Sequence, residues 1–124
     1  EAARFCEISR SADRGSLVLL NESFATTSHT ESLYIAEDAL RYLCCLGART
    51  VFNTHMHDLA TSLEGINDEI EGDSRAESLI TGVHDGERSF KVLIAPPQGV
   101  SYAADIAKKY GVTFEQMKKE IDKK

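Results

Sequence analysis

The run from Ser16 to Leu20, apolar after its serine and preceded by Gly15, breaks off abruptly at Asn21 and Glu22. A short apolar run of this kind suits a strand buried on both faces of a parallel sheet, which points to an α/β fold class. The next segments extend that reading. After a polar stretch, Ser23 to Thr30, the residues Leu33, Ala36, Leu40 and Leu43 recur at helical spacing opposite Glu37, Asp38 and Arg41. Ser28 and Glu31 have the spacing of a capping box at the start of that helix, and Gly47 supplies its stop. Arg49 to Thr54, rich in β-branched and aromatic residues, then gives a second strand. A strand, helix, strand unit makes parallel neighbours with a right-handed crossover. Both strands would end on the same edge, bringing Asn21 and Glu22 close to His55, and in open α/β sheets that carboxyl edge is where ligands bind.

Farther along, Gly65 to Arg75 is acidic and weakly periodic and reads as an edge strand plus a mobile turn. Asp85 and Gly86 give a hairpin signal within Ser78 to Ile94, and Phe90, Val92 and Ile94 alternate along the second arm. Pro96, Pro97 and Gly99 end that strand, and Val100, Ala103, Ala107 and Tyr110 mark a helix closed by Gly111. Thr113 and Gln116 form a second capping-box pair before a last helix with Phe114, Met117 and Ile121 on one face. The expectation is one layered domain over residues 1–124, with a mainly parallel core sheet, an antiparallel hairpin toward one edge and C-terminal helices.

A hydrophobic content of 42% in 124 residues supports a packed core. The net charge of −6 argues against this chain gripping a nucleic-acid backbone, which takes clustered Lys and Arg. Lys118, Lys119, Lys123 and Lys124 are interleaved with Glu115, Glu120 and Asp122, as on a solvated helix face. No stretch approaches the roughly 20 apolar residues of a membrane span, and the first residues lack a secretory pattern, so a cytoplasmic location is expected. The cysteines, Cys6, Cys44 and Cys45, lack metal-ligand spacing and read as free, largely buried thiols in a reducing compartment.

Two segments could carry chemistry. Ser16 to Glu22 has the form of a Walker B segment, in which the first polar residue, Asn21, helps hold Mg²⁺ and the following carboxylate, Glu22, polarises an attacking water. The plain alternative is a strand ending in a turn. The second segment, Asn53 to Asp58, offers either a strand-end histidine that senses a γ-phosphate or a Thr-His-x-His-x-Asp zinc motif. Here Asp58 directly follows the second histidine and position 60 is alanine, a shift that points the carboxylate elsewhere. His29 and His84 supply no evident third ligand. Ser23 and Ser28 lack the turn of a hydrolase nucleophile, and Cys44 and Cys45 fall mid-helix.

Taken in order, these pieces resemble the ATPase domain of the MutS mismatch-repair family. Leu17 to Glu22 match its Leu-Val-Leu-Leu-Asp-Glu strand except at Asn21, and Thr27 and Ser28 fall where a Thr-Ser loop follows. Phe52, Asn53, Thr54, His55, Met56, His57, Asp58 and Leu59 look like its Phe-Ala-Thr-His-Tyr-x-Glu-Leu segment. Ser101, Tyr102 and Ala103, then Ala107, Gly111 and Thr113, are similar to its Ser-Tyr-Gly and Ala-x-x-x-Gly-x-Pro patterns. The resemblance implies part of an ABC-type P-loop NTPase, a homodimer using ATP and Mg²⁺, with each nucleotide sandwiched between subunits. By that carry-over Glu22 activates water, His55 senses the γ-phosphate, Asn21 takes the Mg²⁺ position, and Thr27 and Ser28 belong to the dimer-facing loop. DNA would be held by other domains of a longer parent, where ATP switches a clamp.

Two departures qualify that inference. No G-x-x-x-x-G-K-[ST] sequence occurs, and the phosphate loop is expected upstream of Glu1. The chain is therefore expected to be an excised piece that does not hydrolyse ATP alone and that self-associates through an uncovered apolar edge or face. Asn21 keeps an acceptor oxygen but loses the charge of aspartate, which weakens Mg²⁺ binding and favours altered turnover. A degenerate nucleotide-sensing or dimerisation module, and a zinc hydrolase, stand as the competing readings.

Overall fold

Parallel pairing of two short strands organises the first half of the chain. The computed structural model describes residues 1–25, 28–84, 87–97 and 102–124. Strand β1 (Leu17–Asn21) pairs with β2 (Arg49–Asn53), and the register sets Leu19 opposite Val51 and Asn21 opposite Asn53. Helix α2 (His29–Leu46) connects them and follows α1 (Ala2–Ser11). At its start Ser28 Oγ accepts from the Glu31 N–H at 3.4 Å, and at its end Gly47 at φ 77° lets the chain reverse and donate to Leu43 O. Ala36, Leu40 and Leu43 are buried as the helical spacing predicts, with Leu33 partly buried beside them and Ala39 joining the same face.

Helix α1 has no side-chain cap and was not foreseen, yet it delivers Phe5 and Ile8 to the core. Phe5 meets Phe24 and Tyr42 edge-on, and the Tyr42 hydroxyl donates to Ser9 O at 2.6 Å. Gly65 to Arg75 differs from the expected edge strand: its first part belongs to α4 (Leu63–Glu69), preceded by α3 (His57–Thr61). Leu59, Ile66 and Ile70 are buried with Leu63 packed beside them, and the spacing of 59, 63, 66 and 70 is that of a helical stripe. The turn that follows is clasped by Asn67, whose amide accepts from Ala76 N at 2.8 Å and donates to Ala76 O at 2.9 Å.

Two further expectations are corrected. Strand β1 is buried on one face only: Val18 and Leu20 point into the core, whereas Leu17 and Leu19 are exposed, as is Val51 on β2. Elements covering the core lie against one side of the β1–β2 sheet, and its other side is left open. The hairpin, β3 (Leu79–His84) with β4 (Glu87–Ile94), forms a separate antiparallel sheet rather than extending a mainly parallel one. Its strands bond to each other with an irregularity between Thr81 and Val83, where Phe90 adopts φ 56°. A Cβ at Gly82 would fall 2.8 Å from Ser89 Oγ and 3.0 Å from Leu93 Cδ1, so a larger residue there would force those side chains to shift. The expected turn residues Asp85 and Gly86 lie outside the described residues.

Helices α5 (Tyr102–Lys109) and α6 (Phe114–Ile121) follow, and the Thr113–Gln116 capping box is complete in both directions. The fold is mixed α/β, with a small parallel sheet, an antiparallel hairpin and C-terminal helices. Among the described residues no helix is long and apolar enough to cross a membrane.

Candidate functional site

Parallel pairing brings the ends of β1 and β2 to one edge, and the backbone then redirects the side chains there. Glu22 continues the ladder one residue past β1, its N–H donating to Asn53 O at 2.7 Å, and turns the chain at φ 50°. A left-handed conformation is uncommon for a residue with a Cβ and concentrates at functional turns. Phe24, also left-handed at φ 70°, holds the turn in place. Its ring is buried against Phe5 and Phe52, and its N–H donates to Glu1 Oε2 at 2.6 Å.

On the second strand a short turn follows Asn53. Thr54 Oγ1 accepts from the Met56 N–H at 3.0 Å, His57 N–H donates to His55 O at 3.0 Å, and buried Met56 pins the turn to the core. That leaves His55 projecting from the edge, with its side chain 88% exposed and its Nε2 2.8 Å from Glu22 Oε1. A contact this open to water adds little to stability. Its arrangement is a carboxylate and an imidazole side by side, both accessible to a ligand, which suits positioning a water and contacting an anion.

Beside this pair, Asn53 Nδ2 donates to Asn21 Oδ1 at 2.8 Å. Ser28 caps α2, so its hydroxyl already serves the helix, and Thr27 lies outside the described residues. The zinc arrangement does not form: Asp58 Oδ2 lies 2.9 Å from His29 Nε2, joining the starts of α3 and α2. No group of three His, Cys, Asp or Glu side chains able to hold a metal occurs among the described residues. A concavity of about 610 Å³ lies apart from the pair, lined by Glu1, Phe24, Thr30, Tyr34 and Ile35.

Sequence reasoning missed the partner of Asn21. Asn53 was legible only as one letter of a motif, although parallel strands of matching length ending at one edge put it directly opposite Asn21. The His29–Asp58 contact had no sequence signal, since it depends on how α3 folds back toward α2.

No protein-family model matches the chain. It is 33% identical over 111 residues to the DNA mismatch repair protein MutS of Clostridium perfringens, covering 87% of this chain and 12% of that protein. Over 117 residues it is 35% identical to the DNA mismatch repair protein MutS 2 of Haloarcula marismortui, covering 90% of this chain and 12% of that protein. The MutS of Clostridium novyi is 33% identical over 108 residues, 85% of this chain and 11% of that protein. The chain thus has a distant similarity to one part of MutS proteins and spans only about 12% of the length of the curated relatives it matches.

Proposed function

We propose that residues 1–124 form the C-terminal portion of a MutS-like ATPase domain in a longer protein, and that the Glu22–His55 edge faces the terminal phosphate of ATP. The observation that carries this reading is the 2.8 Å contact between the two side chains at the shared carboxyl edge of two parallel strands. An apolar sheet face left open at Leu17, Leu19 and Val51 supports it, because such a face belongs inside a larger layered domain of the P-loop type. His55 contacts the phosphate and Glu22 then orients and polarises a water for attack on it. Ser28 and Thr27 belong to the loop that meets a second subunit. The longer protein, an intracellular homodimer, couples the nucleotide to DNA held by its other domains, in mismatch repair or related processing.

The donor set here does not fit a resident Mg²⁺. Asn21 is uncharged, and one lone pair of its acyl oxygen already accepts from Asn53. That amide bridge favours a second reading in which ATP is bound and sensed with little turnover.

Both readings are tested by ATP binding and turnover in the full-length protein, comparing wild type with Glu22→Ala and His55→Ala. Turnover lost in Glu22→Ala supports the hydrolytic reading. Binding without turnover, weakened by His55→Ala, supports the sensing one. Failure of the wild type to bind ATP would overturn both.

A further inference from the structure

The last rung of the parallel ladder on the open sheet face is a pair of amides. Moving outward along that face, Leu17 lies opposite Arg49, Leu19 opposite Val51, and Asn21 opposite Asn53. Side chains of directly opposed residues share a face and contact each other, so each amide is within reach of its partner by virtue of register alone. The bond runs from Asn53 Nδ2 to Asn21 Oδ1 at 2.8 Å.

We infer that Asn53 sets how well this edge takes a divalent cation: its amide occupies a lone pair of the Asn21 oxygen, the one side-chain acceptor atom Asn21 offers, and so competes with the cation for it. The inference rests on the reading that this edge faces a nucleotide's phosphates. Mg²⁺ is a hard cation that sheds water reluctantly and is held through carboxylate oxygens. A neutral amide has one acyl oxygen without a formal charge, and here one of its two lone pairs is taken by Asn53. Asn53 is thus a specificity-determining residue that acts through Asn21, and the two amides work as one unit.

The test uses Mn²⁺ alone as the probe. Selective paramagnetic broadening of the backbone amide signals of residues 21–23 and 53–55 is followed during titration of this chain. Wild type, Asn21→Asp, Asn53→Ala and the doubly substituted chain are compared, and the same spectra check that each is folded. The expected midpoints fall from wild type to Asn21→Asp. They fall again, by about threefold to tenfold, when Asn53→Ala is added to Asn21→Asp, because the carboxylate no longer accepts a competing hydrogen bond. Equal midpoints for Asn21→Asp with and without Asn53→Ala overturn the role of Asn53 while leaving the proposed phosphate-facing edge standing. A wild-type midpoint matching that of Asn21→Asp also overturns it, since the amide bridge would then exclude nothing. If even the doubly substituted chain shows no selective broadening at these residues, Asn53 controls no cation here and the inference is overturned, whereas the phosphate-facing reading stands or falls on ATP binding by the full-length protein.

Discussion

Phe24 and Phe90 are both aromatic residues in the left-handed region of backbone space, at φ 70° and 56°, yet Phe24 is 3% exposed and Phe90 85%. Phe24 sits where α1, α2 and the β1–β2 sheet converge, so burying its ring offsets the strain of its backbone. Phe90 bears the same kind of strain on a hairpin whose described residues contribute none to either core cluster. The contrast extends to whole regions. Residues up to Ile70 supply every buried hydrophobic side chain found among the described residues, whereas Val92, Ile94, Phe114 and Ile121 are exposed. An amphipathic pattern specifies a face that needs covering, and whether the same chain covers it is a separate matter of topology.

Substitutions can break that comparison. Phe24→Ala is expected to destabilise the chain by about 3–5 kcal/mol, and Leu43→Ala or Ile66→Ala by about 2–5 kcal/mol, read as a lower urea midpoint by circular dichroism. Phe90→Ala and Ile121→Ala should stay within about 0.5 kcal/mol in the same assay. A loss from Phe90→Ala equal to that from Phe24→Ala would mean that the hairpin packs on the core in solution.

Gly82→Ala comes next, with an expected cost of about 1–3 kcal/mol confined to the hairpin, because its Cβ would meet Ser89 Oγ at 2.8 Å and Leu93 Cδ1 at 3.0 Å. Amide exchange should quicken across residues 79–94 and remain slow in α2. Thr113→Ala removes a complete capping box and should cost about 1 kcal/mol, seen as faster exchange in α6 alone. Uniform acceleration through the chain in either variant would show that the two regions unfold as one unit.

The smallest expected effects concern surfaces. Leu19→Lys on the open sheet face should reduce self-association in sedimentation at high concentration without lowering the urea midpoint. A monomeric wild-type chain would remove the reason for that variant. Among the thiols, burial, reinforced by neighbouring Cys45, raises the pKa of Cys44. At any pH below that raised value less of Cys44 is thiolate, so it should be alkylated more slowly than exposed Cys6, with the gap narrowing as pH rises. Equal rates near neutral pH would indicate that α2 opens readily.

The strand, helix, strand unit was legible because its punctuation is local: an apolar run that stops at Asn21, a cap at Ser28 and a left-handed stop at Gly47. The nearness of Glu22 and His55 was legible for the same reason, since parallel strands must end together. Helix α1 was not, because it lacks a side-chain cap and contributes only Phe5 and Ile8 before Ala12. Helix α4 was hidden by its acidic residues, which mask the spacing of Ile66 and Ile70. The open face of β1 was misread because a continuous apolar run looks the same whether its second cover lies in the same chain or elsewhere. Asn53 escaped notice because its meaning lies in register, across 32 residues of sequence.

The most direct measurement is a structure of the full-length protein bound to a non-hydrolysable ATP analogue. The expected result has the terminal phosphate within hydrogen-bond reach of His55 Nε2, with the 2.8 Å contact to Glu22 Oε1 opened to admit it. An analogue bound with its phosphates elsewhere, and the Glu22–His55 contact unchanged, would contradict the assignment of this edge.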